Sequence, residues 1–165
     1  MNISKTMQDA INEQIKNEFY SSYLYLAMSA HFEAVNLPGF ASWMRIQTGE
    51  EKDHALRFFQ YVIDRGGRVE LKPIDQPPLE WKSPREAFEQ VLEHEQKVTS
   101  LINNLYALAV KENDYASQGI LQWFLNEQVE EEKNASLILE QIKLIDARGT
   151  ALYVLDHQLS KRSGE

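Results

Sequence analysis

Apolar side chains recur along most of this chain at steps of three and four, the spacing that lines one face of a helix. The first stretch sets Ile11, Ile15, Tyr25 and Phe32 on one stripe, interrupted by Glu18, Ser22 and Ser29. The second carries Phe40, Met44, Phe58 and Tyr61, with Gln47, Glu51 and His54 between them. A third runs Phe88, Leu92, Val98, Ile102, Leu105 and Ala109 around Glu95. The fourth places Leu121, Phe124, Ala135, Ile138, Ile142 and Ile145 around Gln128 and Glu131. This pattern predicts α1 over roughly 4–35, α2 over 38–65, α3 over 84–112 and α4 over 115–147, followed by a short α5 over 151–161.

Local chemistry marks the ends. Ser83-Pro84-Arg85-Glu86 combines an N-cap serine, a proline at the first helical position and a capping-box glutamate. Gly66 and Gly149 stand where left-handed C-terminal caps are wanted, and Asp114 and Thr150 are candidate N-caps for α4 and α5. Gly119 falls inside α4, where glycine costs about 1 kcal/mol. The α1–α2, α3–α4 and α4–α5 links are short, which makes those neighbours antiparallel or sharply turned. The α2–α3 link, about 68–82 with Pro73, Pro77 and Pro78, is long enough to cross the bundle in extended form. Four long helices with one long crossover is an all-α, ferritin-like four-helix bundle. The fifth helix is an appendix that the bundle does not explain.

The polar breaks in the stripes are the informative feature. Glu18 and Glu51 lie roughly 13–14 residues into their helices, Glu95 about 11 and Glu131 about 16, at a rise of ~1.5 Å per residue. Packed side by side, the four carboxylates meet at one level. A buried carboxylate must be neutralised or paired. The stripes supply no Lys or Arg, only His54, so multivalent cations are the natural partners. Oxygen-rich ligation with one imidazole suits iron or manganese better than structural zinc. Glu51-Lys52-Asp53-His54 is Glu-x-x-His, with both ligands on one helix face, and Gln128-Val129-Glu130-Glu131 repeats the spacing with glutamine and glutamate.

Around this set the readings stay divided. Gln128 is either a ligand or a buried amide that hydrogen-bonds one. Tyr25, two turns beyond Glu18, is either a core tyrosine or a redox or hydrogen-bonding neighbour of the metals. Glu50, Glu127, Glu130 and Glu132 flank the seam; acid runs are usually solvated faces, but Glu50, Glu127 and Glu130 form a candidate third cation site. His31, His94 and His157 are assigned to structure or solvent.

Composition narrows the class. The chain has 165 residues, no cysteine and a net charge of −8. Disulfides, thiolate metal sites and iron–sulfur clusters are therefore excluded. The length fits a single domain over 1–165, and the acidic balance is opposite to a nucleic-acid footprint. No apolar run reaches membrane-spanning length and Met1 to Gln8 lacks a signal-peptide layout, so the expected location is the cytoplasm, without membrane attachment.

Taken together, the segments Asn17–Tyr25, Glu50–Ala55, Arg65–Val69, His94-Glu95 and Trp123–Glu132 resemble the prokaryotic non-haem ferritins over essentially the whole chain. The resemblance implies that Glu18, Glu51 and His54 bind a first iron with Glu51 bridging, and that Glu95 and Glu131 complete the second beside Gln128. It implies a third iron at Glu50, Glu127 and Glu130, sharing Glu131, with Tyr25 near the centre. It further implies ferroxidase activity with O2 or H2O2 as oxidant, and storage of Fe(III) oxyhydroxide in a shell of twenty-four subunits, with α5 at the four-fold axes. Bacterioferritins carry a second Glu-x-x-His on α4 and a methionine after the bridging glutamate. Here Glu131 and Lys52 stand at those places, so no haem is expected. Two other classes compete: a di-iron or di-manganese oxidase or peroxidase of low oligomeric state, and a cage subunit without oxidation activity.

Overall fold

A computed structural model describes residues 2–145 and 149–164. Its elements are α1 (Lys5–Ala34), α2 (Pro38–Asp64), α3 (Pro84–Lys111), α4 (Tyr115–Leu144) and α5 (Gly149–Leu159). The four long helices fall where the periodicity sets them. The final residues expected of α4, 146 and 147, lie outside the described residues. No helix among the described residues is long and apolar enough to cross a membrane.

The helix ends follow backbone hydrogen-bond needs. Ser83 Oγ accepts from the Glu86 amide at 3.1 Å, and Asp114 Oδ1 accepts from Ser117 at 3.1 Å, as expected of N-caps. The Glu86 carboxylate reaches back to the Lys82 amide. After α2, the Gly66 amide bonds to Ile63 O and the Gly67 amide to Val62 O, with Gly66 at φ +68°. This is a Schellman cap. The same paired bonds close α1 and α3 around Asn36 and Asn113, at φ +64° and +55°. Two expectations shift. Gly149 has positive φ but opens α5, since α4 already closes at Ile145, and Thr150 lies inside α5 rather than capping it.

Contacts along the helices define the topology. The crossover runs the length of α1: Asn12 exchanges hydrogen bonds with Arg68 O and the Glu70 amide, and Trp81 packs edge-on against His31. Ser4 meets Glu112 while Tyr25 meets Glu95, so α1 and α3 are antiparallel. Arg65 meets Asp114 while Gln47 meets Glu131, so α2 and α4 are antiparallel too.

The interior divides along its length. One apolar cluster gathers Met28, Phe32, Phe40, Met44, Phe88 and Ile142, with Leu155 and Leu159 from α5. The other gathers Met7, Ile11, Ile15, Val98, Ile102 and Leu121, with Phe58 stacked on Phe124 at 3.9 Å. Between them lies a polar layer. The fifth helix docks on the start of α2, where Asp156 accepts from the Phe40 amide at 2.9 Å. That carboxylate serves a helix N-terminus whose own N-cap, Leu37, has no side-chain bond to offer.

Candidate metal centre

The polar layer is built from the stripe interruptions. Glu18 on α1, Glu51 and His54 on α2, Glu95 on α3, and Gln128 and Glu131 on α4 are all buried. Ligand atoms of Glu18, Glu51 and His54 lie within 4.8 Å of one another, as do those of Glu51, Glu95 and Glu131. Glu51 belongs to both groups. A carboxylate has two oxygens, so a residue common to both groups has the donors a bridging ligand needs. A further trio joins His54, Glu127 and Glu131.

Electrostatics shows what the layer lacks. Burial pushes the Glu18 carboxyl up to about 8, and Glu51 beside it adds to the rise. Burial also lifts Glu131 to about 8, reinforced by Glu95. Glu95 rises to about 7 through burial, despite hydrogen bonds from Tyr25 and Gln128. Glu51 is driven well above the ordinary carboxylate range by burial and by Glu95 and Glu131. Burial and mutual repulsion favour the protonated form of these groups, and a bound cation reverses that preference. Among the described residues, Glu18 Oε2 is a buried oxygen with no hydrogen-bond partner. An orphaned oxygen in a layer of acceptors, beside an imidazole and without thiolates, fits a hard or borderline divalent cation.

The neighbouring residues sort themselves by contact. Tyr25 is fully buried and its hydroxyl donates to Glu95 Oε1. Gln128 turns its amide nitrogen to Glu95 Oε2 at 3.3 Å and to Thr99 Oγ1 at 3.2 Å, so its nitrogen steadies Glu95. The acids of the candidate third site flank this layer. Glu127 lies with His54 and Glu131, Glu50 pairs with Arg162 at 2.5 Å, and Glu130 is exposed. His94 is partly buried with Nε2 at 2.7 Å from Ser21 Oγ, and burial, helped by Lys97, lowers it to about 4. His31 packs against Phe32 and Trp81, and His157 is exposed.

Two glutamines take roles that the stripes alone do not assign. Gln14 donates to Glu18 Oε1 at 2.8 Å, and Gln47 donates to Glu131 Oε2 at 2.7 Å and Glu51 Oε1 at 3.1 Å. A signal existed: each stands four residues before a seam glutamate, one turn away on the same face. Arg162 was also missed; it donates to Gln47 Oε1 at 2.8 Å from beyond α5. No local pattern points to it.

With this geometry in hand, the relatives are informative. The ferritin-like domain family matches residues 8–145. A bacterial non-heme ferritin of Bacteroides fragilis is 44% identical over 160 residues, covering 97% of this chain and 99% of its own. One from Staphylococcus haemolyticus is 36% identical over 161 residues, covering 98% and 97%. Among solved structures, an open-pore ferritin from the hyperthermophilic archaeon Archaeoglobus fulgidus aligns with a TM-score of 0.97 at 48% identity, over 98% of this chain and 100% of its own. An engineered closed form of the Archaeoglobus fulgidus ferritin aligns with a TM-score of 0.98 at 47% identity, over 99% and 100%.

Proposed function

We propose that this protein, which belongs to the ferritin family, oxidises Fe(II) at the buried carboxylate layer and stores the Fe(III) product. The observation that carries the reading is Glu51, shared by two ligand trios across the bundle, with an unpartnered Glu18 oxygen in the first. Fe(II) is the substrate. One ion is held by Glu18, Glu51 and His54, the other by Glu51, Glu95 and Glu131. Gln14, Gln47, Gln128 and Tyr25 hold the carboxylates in place from behind.

The protein's part in the reaction is electrostatic. Entry of cations expels the protons that burial had kept on the carboxyls, and the resulting anionic shell stabilises Fe(III) more than Fe(II). Two Fe(II) together surrender two electrons, reducing O2 to H2O2, or H2O2 to water, with protons taken from solvent. Fe(III) then leaves for a mineral of oxyhydroxide.

Storage requires an enclosure, and the chain has surfaces for one. Tyr153 and Val154 on α5 are 73% and 49% exposed, an apolar face that a neighbouring subunit would cover. We place α5 at such a contact in a shell of twenty-four subunits. The test is aerobic Fe(II) loading followed by size exclusion with light scattering. Iron far above two per subunit, travelling with a particle of shell mass, is the expected result. A monomer or dimer that retains two or fewer irons per subunit would move the protein to the small-molecule oxidases or peroxidases.

A further inference from the structure

The C-terminal tail reaches the carboxylate layer from outside the four-helix core. After α5 ends at Leu159, Arg162 turns against α2: Nη1 donates to Gln47 Oε1 at 2.8 Å and Nη2 to Glu50 Oε2 at 2.5 Å. The guanidinium sits 4.5 Å from the centre of the Trp43 ring. The path of the tail is set upstream. Asp156 is bonded to the Phe40 amide, and a Cβ on Gly39 would lie 1.7 Å from Asp156 O, so only glycine lets α5 approach α2 this closely.

The chemistry of Gln47 gives this contact a consequence. Its amide has one donating and one accepting end, whereas a guanidinium only donates and an ionised carboxylate only accepts. With Arg162 on one side and Glu51 and Glu131, ionised once cations are bound, on the other, a single orientation satisfies every group. Turning the amide over would set nitrogen against the guanidinium and oxygen against two carboxylates. Among the described residues, Arg162 is the side chain that donates to Gln47 Oε1.

We propose that Arg162 is a positioning residue for the metal centre, holding Gln47 with its nitrogen toward Glu51 and Glu131. The inference rests on the reading of the carboxylate layer as a metal site, and the test separates the two. By charge alone, deleting a cation beside an anionic site strengthens cation binding. Loss of positioning weakens it. The sign therefore decides.

The experiment is an anaerobic titration of the assembled protein with Co(II), followed by calorimetry and by the visible absorption of the bound ion. Wild type takes up two tight Co(II) per subunit. Arg162→Ala weakens binding by about tenfold, the scale seen when a partner behind a ligand is lost, and changes the absorption of bound Co(II). Arg162→Lys restores most of the affinity. In a Gln47→Ala background, Arg162→Ala adds nothing, because its effect is routed through Gln47. Binding in Arg162→Ala that is equal to or tighter than wild type overturns the proposal, as does full additivity with Gln47→Ala. Absence of tight Co(II) uptake by wild type overturns the metal-site reading itself, and the proposal with it.

Discussion

The two halves of the carboxylate layer are satisfied in different ways. On the α1–α2 side, Glu18 receives a hydrogen bond from Gln14 on one oxygen, and its second oxygen meets no amide or hydroxyl donor among the described residues. On the α3–α4 side, both oxygens of Glu95 are engaged, by Tyr25 and by Gln128, and Glu131 takes Gln47. The first half contributes an imidazole and an unfilled acceptor; the second is already held by donors. A cation entering the first half completes a hydrogen-bonding deficit, whereas one entering the second must share carboxylates with existing donors. The first half is thus expected to fill first.

The largest effect belongs to the residue common to both halves. Glu51→Ala removes a ligand from each trio, and single-turnover Fe(II) oxidation is expected to fall by more than about a hundredfold, beyond the range for loss of an outer partner. Oxidation at the wild-type rate would break the comparison at its root. His54→Ala is expected to weaken the first bound cation selectively, leaving one ion on the α3–α4 side. Calorimetry would show a single remaining tight site, and loss of both sites would show that the halves do not load independently.

A smaller effect appears as pH dependence of the metal-free protein. Glu18, Glu95 and Glu131 have ordinary values of 4.5 when exposed, but about 8, 7 and 8 in the fold. The folded state therefore binds more protons than the unfolded state between those limits. Their contribution to stability is fully present below 4.5 and is lost as pH rises through 7 and 8. Thermal midpoints of metal-free protein should fall from pH 5 to pH 9, and Glu18→Gln should flatten that fall. A midpoint rising over this window would contradict the burial account. The smallest effect is expected from Tyr25→Phe, which strips one donor from Glu95. A change of a few-fold in the affinity of the second cation, with the first untouched, fits a neighbour that supports one ligand.

Much of this was legible beforehand because helical periodicity and burial cost are local. Glu18, Glu51, His54, Glu95 and Glu131 broke apolar stripes at matched depth, and the structure brings them together in one buried layer. Gln47 sat on the same stripe yet was passed over, since a lone glutamine shows no ligand pattern until its neighbour at i+4 is weighed. Asn36 and Asn113 close two helices in the left-handed conformation, a role sought only in glycine. Glu127 and Glu130 stand one turn apart on α4 and Glu50 beside the ligand pair, but that Arg162, far along the chain, reaches Glu50 has no sequence signal. Contacts such as Arg162 to Gln47 and Asp156 to Phe40 join residues more than a hundred positions apart. They depend on how α5 docks, and no periodicity within α5 encodes that.

The central claim is a two-ion centre bridged by Glu51 that oxidises Fe(II). Its most direct test is stopped-flow mixing of anaerobically loaded protein, at two Fe(II) per subunit, with O2, read by Mössbauer spectroscopy beside a Glu51→Ala control. The account predicts that both irons in the wild type become Fe(III) in one kinetic phase, while the variant oxidises no faster than Fe(II) in buffer. Equal rates in the two proteins would contradict it.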